Sequence, residues 1–329
     1  MSNQYSAAIV GCGMIAGQFQ DRADMQTYSH AKAIFDNPNF KHIGYFDINP
    51  EASSNLAKKF PGSSFGSLSE MIKEMQPDVV SLCSPDYCHY EQTIELLEHE
   101  HCPKIIFVEK PVCQNEAELT EIISRLRANG AVNLFVNHSR RFDSNHSELA
   151  KNIREGTFGQ FNFCNVNYYG GWQHNGIHVL DFLHACFAGE IIVDSVNFAC
   201  RSNYSDDPTL NLCGRLDGGK IVFKGHDEEF YQVTEIDLFF SEGRVVISNF
   251  GMKIEIFKKV INMENERVLE AVHATNKSMR NQMSNAYRQI AMYLESSELG
   301  DLNNVSIETA AIIMRNIWSV KRKYNEQKN

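Results

Sequence analysis

Residues 5–10, YSAAIV, form a short apolar run that breaks directly into glycines, and similar runs then recur at intervals. They lie at 41–47 (KHIGYFD), 78–83 (DVVSLC), 104–108 (KIIFV) and 132–137 (VNLFVN), with helical stretches at 50–59, 67–75, 90–99 and 114–128 between them. An unbroken apolar run is the pattern of a strand buried on both faces, and strands that alternate with helices imply crossover connections. The first half is therefore expected to be a doubly wound parallel sheet covered by helices. Beyond about residue 155 the texture changes. Runs at 159–169, 191–201, 210–216, 219–225, 233–241, 244–249 and 252–258 follow one another, separated by turn signals such as Asp217-Gly218-Gly219 and Ser241-Glu242-Gly243. These predict a large, mostly antiparallel open sheet. Helical segments at about 277–297 and 306–325 close the chain.

Gly11-Cys12-Gly13-Met14-Ile15-Ala16 follows the first run and is expected to open a helix. The first glycine permits a tight turn, the second lets backbone approach a pyrophosphate, and the small sixth residue lets helix and strand pack closely. Amides around Gly11, Gly13, Met14 and Ile15 would then meet negative charge at a helix start. The alternative is a plain structural turn. Asp47 ends the second strand, where a carboxylate can accept hydrogen bonds from ribose hydroxyls and would repel a 2′-phosphate. No Arg or Lys follows in Asp47-Ile48-Asn49-Pro50, so NAD(H) is favoured over NADP(H). Asp47 lies 31 residues beyond Ala16, more than the usual 20 or so. The excess is expected around 19–29, either as a loop over the cofactor or as an inert insertion. The fold expected is a Rossmann-type dinucleotide-binding domain over 1–140, then an α+β domain over 141–329.

The net charge of −10 argues against binding to nucleic acid or anionic membranes. Lys321-Arg322-Lys323 reads as a solvated helix end. No uninterrupted apolar run has the length of a transmembrane helix, and the start, MSNQYSAAIVGCG, lacks the basic region of a signal peptide. Nine cysteines are scattered singly with no CxxC pair, which fits reduced thiols in a cytoplasm.

Further strings fall in a recognisable order. Ser84-Pro85-Asp86 and His89 follow the third long run, Glu109-Lys110-Pro111 the fourth, and Asn137 through Arg140-Arg141-Phe142 the fifth. His174-Asn175-Gly176-Ile177-His178-Val179-Leu180-Asp181 then opens a helix in the second half. Together they resemble the glucose–fructose oxidoreductase / inositol dehydrogenase (Gfo/Idh/MocA) family, strongly over about 5–185 and architecturally beyond. The resemblance implies a pyridine-nucleotide dehydrogenase or reductase acting on CH–OH groups of sugars, cyclitols or related polyols. It implies that Lys110 contacts substrate and nicotinamide ribose and that His178 is the acid/base. It adds Ser84, Pro85, His89 and Glu109 to the cofactor side, and a homodimer or homotetramer formed through the C-terminal sheet. Many members carry aspartate where this chain has His174, and an imidazole cannot steady a protonated His178 as a carboxylate would.

Moving a hydride on or off an alcohol carbon requires a proton to move on its oxygen, which groups near neutrality do best. Histidine begins at about 6.5, and lysine at about 10.4 before burial or a neighbouring cation lowers it. Lys110 directly follows a strand, at the sheet edge where doubly wound folds bind ligands. On a regular helix His174, His178 and Asp181 share one arc, with Asn175 as N-cap and the helix over about 176–187. A zinc site from the His-x-x-x-His pair and aspartate is the rival reading, without a supporting motif, and no metal is expected. Asp181 suits substrate binding or a structural cap. Tyr169 and Trp172 suit stacking on a sugar ring or strand packing, and Arg141 suits an anionic substrate group or a salt bridge. The expected function is NAD(H)-dependent hydride transfer on a sugar, sugar derivative or nucleotide-linked sugar. The alternatives are a non-catalytic nucleotide-binding regulator and an NAD-dependent redox-assisted glycosidase. All of this requires Lys110 and His178 to converge on one hydroxyl-bearing carbon.

Overall fold

The computed structural model describes residues 4–21, 26–187 and 189–327. In chain order the elements are β1 (Tyr5–Val10), α1 (His30–Phe35), β2 (Phe40–Phe46), α2 (Pro50–Lys59), β3 (Ser63–Phe65), α3 (Leu68–Met75), β4 (Val79–Leu82), α4 (His89–Glu98), β5 (Ile105–Glu109), α5 (Glu116–Asn129), β6 (Asn133–Asn137) and α6 (Ser144–Arg154). They continue with β7 (Phe161–Tyr169), α7 (Ile177–Phe187), β8 (Ile192–Cys200), β9 (Thr209–Leu216), β10 (Gly219–His226), β11 (Glu235–Phe240), β12 (Gly243–Ser248), β13 (Lys253–Ile261), β14 (Arg267–Thr275), α8 (Gln282–Ser296) and α9 (Ile307–Glu326). The chain forms two compact units, one of residues 1–142 with 281–311 and one of residues 143–280 with 312–329.

In the first unit the strands pair in the order β3-β2-β1-β4-β5-β6, every pairing parallel. Ala7, Ile9, Val79, Val80, Ile105 and Phe107 are fully buried, as unbroken apolar runs in a two-sided parallel sheet must be. The helices start where the sequence supplies caps. Asn49 accepts the Glu51 amide at 3.1 Å ahead of Pro50, and Ser67 accepts the Glu70 amide at 3.1 Å. Asn115 accepts the Ala117 and Glu118 amides, and Gly130 ends α5 with φ +63°. The C-terminal helix α8 belongs to this unit: Tyr287 is fully buried edge-on to Phe107 and Phe40, with ring centroids 5.8 and 5.9 Å away.

The glycine loop does not run into an uninterrupted helix. Residues 13–17 make one turn, with the Gly17 amide on the Gly13 carbonyl, and a short 3₁₀ segment follows at Gln18–Asp21. Helical bonding resumes across a gap, with the His30 amide on the Ile15 carbonyl at 3.1 Å and the Ala31 amide on the Ala16 carbonyl at 2.9 Å. In a regular helix residue 19 would bond to Ile15, so His30 takes its place and the helical bonding passes over eleven residues of sequence. That length accounts for the long interval between Ala16 and Asp47. Residues 22–25 of the expected loop lie outside the described residues.

In the second unit the strand order is β14-β13-β12-β11-β7-β10-β9-β8, antiparallel except for β7 with β10. The helices α6 and α7 belong to the same unit. Among the described residues no helix is long and apolar enough to cross a membrane.

Candidate active site

The carboxyl ends of the first unit's strands carry the expected cofactor residues on one edge. Gly11, just past β1, has φ +84°, and a Cβ there would meet the Ser84 amide nitrogen at 2.4 Å, so only glycine fits between the two loops. A Cβ on Gly13 would meet nothing within 4 Å; this glycine leaves open space beside the backbone, as a phosphate approach needs. Asp47, just past β2, accepts the Cys12 amide at 2.7 Å on Oδ2 and the Asn49 amide at 2.8 Å on Oδ1. The carboxylate thus ties the glycine loop to the second strand and keeps further lone pairs for hydroxyl donors. Burial, aided by Asp47, pushes the Cys12 thiol up to about 12, so it packs as a neutral filler. Met14 and Ile48, following Gly13 and Asp47, are 51% and 93% exposed, apolar surfaces for a flat base. Ile15 is half-buried. These features fit a dinucleotide.

Past β4, Ser84 is half-buried with its hydroxyl on Gln92 Oε1 at 2.6 Å, and Pro85 is exposed. The expectation that His89 contacts the cofactor is corrected. The ring is buried, with Nδ1 2.8 Å from the Pro111 carbonyl and Nε2 2.9 Å from the Ser84 carbonyl. Both nitrogens are spent on bracketing the Ser84 loop against the turn after β5.

That turn holds Lys110, half-buried and joined to Pro111 by a cis peptide bond. Glu109, the last residue of β5, stands opposite Asn137 in the β5–β6 register and accepts its side-chain amide at 2.6 Å. Its other partner was not foreseen: His30 Nε2 lies 2.9 Å away, while His30 Nδ1 is 2.6 Å from the Tyr287 hydroxyl, itself 2.6 Å from Ser81 Oγ. Burial pushes the Glu109 carboxyl up, but hydrogen bonds from His30 and Asn137, with the attraction of His30 and Lys110, hold it below the ordinary carboxylate range. Glu109 therefore anchors the start of the Lys110 turn.

In the second unit Gly170 and Gly171, with φ +67° and +88°, follow β7, and a π turn over Trp172–Gly176 leads into α7. Two expectations are corrected here. Asn175 is not an N-cap: it lies inside the π turn, its side-chain amide on the Gly170 carbonyl at 3.1 Å. Trp172 is not a stacking platform. It is fully buried, edge-on to Tyr168 and Phe223, with Nε1 donating to the Ile317 carbonyl at 3.2 Å. Tyr169 is half-buried and edge-on to Phe250. His178 is half-buried on the first turn of α7, and Asp181, one turn on, is 2% exposed. Because the π turn precedes α7, the regular-helix arc drawn from His174 does not apply.

His174 has an unforeseen partner. Asp207, 3% exposed, places Oδ2 2.9 Å from both the ring Nδ1 and the backbone amide of His174. In the first unit Arg141 is half-buried in a 3₁₀ segment, beside the buried Arg140. Among the described residues no group of three or more His, Cys, Asp or Glu side chains is placed to hold a metal ion.

A profile described as an oxidoreductase family with an NAD-binding Rossmann fold (GFO_IDH_MocA) matches residues 5–138. Glucose-6-phosphate 3-dehydrogenase of Bacillus subtilis is 25% identical over 193 residues, 53% of this chain and 55% of that protein. Inositol 2-dehydrogenase of Rhodococcus jostii is 29% identical over 160 residues, 48% of this chain and 40% of that protein. The matched segments thus span about half the length of these curated relatives. Among solved structures, KijD10, a 3-ketoreductase from Actinomadura kijaniata in complex with NADP, superposes with a TM-score of 0.74 over 98% of both chains at 14% identity. That likeness extends the shared fold through the second unit.

Proposed function

We propose, from the match of residues 5–138 to a profile of an oxidoreductase family with an NAD-binding Rossmann fold, that the chain is a Gfo/Idh/MocA-type NAD(H)-dependent dehydrogenase or reductase acting on a sugar, sugar derivative or nucleotide-linked sugar. The observation that carries this reading is the shared strand edge, where the Gly11–Gly13 loop, tied down by Asp47, and the anchored Lys110 turn both lie at carboxyl ends of one parallel sheet. The two curated relatives are named for dehydrogenation of a phosphorylated sugar and of a cyclitol, which supports the substrate class.

When bound, the nicotinamide supplies the site from which hydride is taken or to which it is given. The glycine loop amides would hold the pyrophosphate, and Asp47 would accept from the adenosine ribose hydroxyls. Lys110 would offer its ammonium to the reacting oxygen, and His178 would carry the proton. The negative charge of Asp47 favours NAD(H), although the structural relative KijD10 is described with NADP. Asp47→Ala is expected to weaken NADH binding roughly tenfold or more, the worth of losing hydrogen bonds to a charged acceptor. Fluorescence titration with NADH and NADPH checks both statements. Tighter binding of NADPH by the wild type would reverse the cofactor preference.

Apolar side chains on the outer strands of the second unit, among them Ile261 at 68% and Val272 at 50% exposure, fit burial against another copy as a homodimer or homotetramer, which light scattering measures. The nine cysteines, scattered singly with no CxxC pair, fit a reducing compartment such as the cytoplasm. The activity itself is tested by nicotinamide absorbance with inositols, hexoses, phosphosugars and nucleotide sugars. Absence of change across that panel with NAD(H) and NADP(H) would overturn the reading.

A further inference from the structure

Resting on the oxidoreductase reading above, we propose that Asp207 is a positioning residue that fixes and steadies His174 as a proton-carrying imidazole, so that a carboxylate remote in sequence serves the place where the family resemblance leads one to expect an aspartate. Position 207 lies 33 residues beyond His174, in the connection between β8 and β9. Its carboxylate is nearly inaccessible and receives several donors. The Gln173 amide lies 2.9 Å from both oxygens, the His174 amide 2.9 Å from Oδ2, and His174 Nδ1 2.9 Å from the same atom. The Asp207 main-chain carbonyl in turn accepts from the Ser202 hydroxyl at 2.6 Å.

The ring is also held through its face. The Tyr204 ring lies parallel to it, with centroids 3.4 Å apart and planes within 7°. Among the described residues, the charged and titratable groups near the pair include Asp207 and Tyr204, from the β8–β9 connection, and Lys321 from α9. Lys321 Nζ lies 3.9 Å from Asp207 Oδ1 and 3.5 Å from the Asp206 carbonyl. Two faces of constraint leave the imidazole little freedom. With Nδ1–H donating to the carboxylate, the neutral ring carries its lone pair on Nε2.

The proton balance follows. In the oxidising direction the substrate C–H bond breaks with its electron pair leaving as hydride to the oxidised nicotinamide. The O–H bond breaks as its proton passes to the imidazole, directly or through His178, and the carbonyl forms. The imidazolium then returns that proton to water, and reduction reverses each step. A carboxylate against Nδ1 stabilises the charged ring at the moment it forms.

A merely structural Asp207, pinning the π turn through backbone amides alone, predicts lower stability with no change in how the ring titrates. The two are separated by ¹⁵N-histidine NMR on the ligand-free protein, combined with kinetics. His174 is expected to show the Nδ1–H tautomer, and its titration midpoint is expected to fall in Asp207→Asn. Of the kinetic variants, His174→Asp sets two carboxylates side by side, so H174D/D207N is expected to recover at least tenfold in kcat over H174D. The acid limb of the D207N pH profile should move to lower pH. An Nε2–H tautomer, or a midpoint unmoved by D207N, overturns the proposal even if the enzyme is active. A wild type without turnover defeats the oxidoreductase reading instead, and the NMR result still decides the pairing.

Discussion

Replacing Lys110 with alanine is expected to lower kcat/KM for a sugar found to react by a factor of about 10²–10⁴, the usual worth of a positioned proton-handling group, while NADH affinity falls by no more than about tenfold, the worth of one hydrogen bond from a charged group. The ammonium follows β5 directly, and its turn is braced from two directions. Glu109 is held by His30 and Asn137, and the Pro111 carbonyl faces the His89 ring at 2.8 Å. A side chain so mounted loses little freedom when it meets an oxygen that gains negative charge in the transition state, and that is the condition under which a hydrogen bond contributes most to rate. Lys110→Arg keeps the charge but not the shape, and is expected to recover only a small part of the activity. Steady-state kinetics beside NADH titration separates this from loss of cofactor. Full activity in Lys110→Ala would remove the lysine from the mechanism.

His30→Ala is expected to destabilise the protein by roughly 1.5–3 kcal/mol, the worth of a hydrogen bond to a charged group. His30 is fully buried between the Tyr287 hydroxyl and the Glu109 carboxylate. Its loss leaves Glu109 with Asn137 as its remaining hydrogen-bonded side chain of that network and cuts the tie to α8. The sign of the pH dependence follows from Glu109. Its folded-state value lies below the ordinary 4.5. The stabilisation it confers is therefore complete above about pH 4.5 and is lost as pH falls through the lower folded value. In His30→Ala the burial cost prevails and the carboxyl takes up a proton more readily. The deficit relative to wild type should then be larger near pH 8 than near pH 5. Urea denaturation at both pH values reads this out, and H30A/E109Q is expected to be more stable than H30A near pH 8. A deficit below about 1 kcal/mol at every pH would show that the network contributes only as ordinary hydrogen bonds do.

What could be read from the sequence follows from how each part is held. The strands β1, β2, β4, β5 and β6 were legible because a strand buried on both faces announces itself as a continuous apolar run. The three-residue β3, Ser63–Phe65, and the largely exposed β14, Arg267–Thr275, carry no such contrast and passed unnoticed. The position of the 19–29 excess was legible from the long interval to Asp47. That it interrupts a helix was not, because the pairing of His30 with Ile15 is set by three-dimensional bonding and not by local pattern. Gly11, Gly13, Asp47 and Lys110 were found through local strings beside strand ends. His89 was misjudged, and Trp172 stayed open between stacking and packing, because strings do not reveal whether a polar tip is already engaged. Asp207 and Tyr287 lay beyond sequence reasoning for another reason. Each meets its histidine across a long stretch of chain, 33 residues for Asp207 and 257 for Tyr287. Asp207 sits in an ordinary turn-like stretch, Tyr204-Ser205-Asp206-Asp207-Pro208.

The most direct test of hydride transfer follows an isotope. Sugars and cyclitols deuterated at their ring carbons are incubated with the protein and oxidised cofactor, and the reduced nicotinamide is analysed by mass spectrometry. Wild type is expected to place one deuterium at C4 of the ring, with a strongly diminished yield from Lys110→Ala and His178→Asn. Sugar consumed while the nicotinamide gains no deuterium, or equal yields from all three proteins, would contradict that expectation.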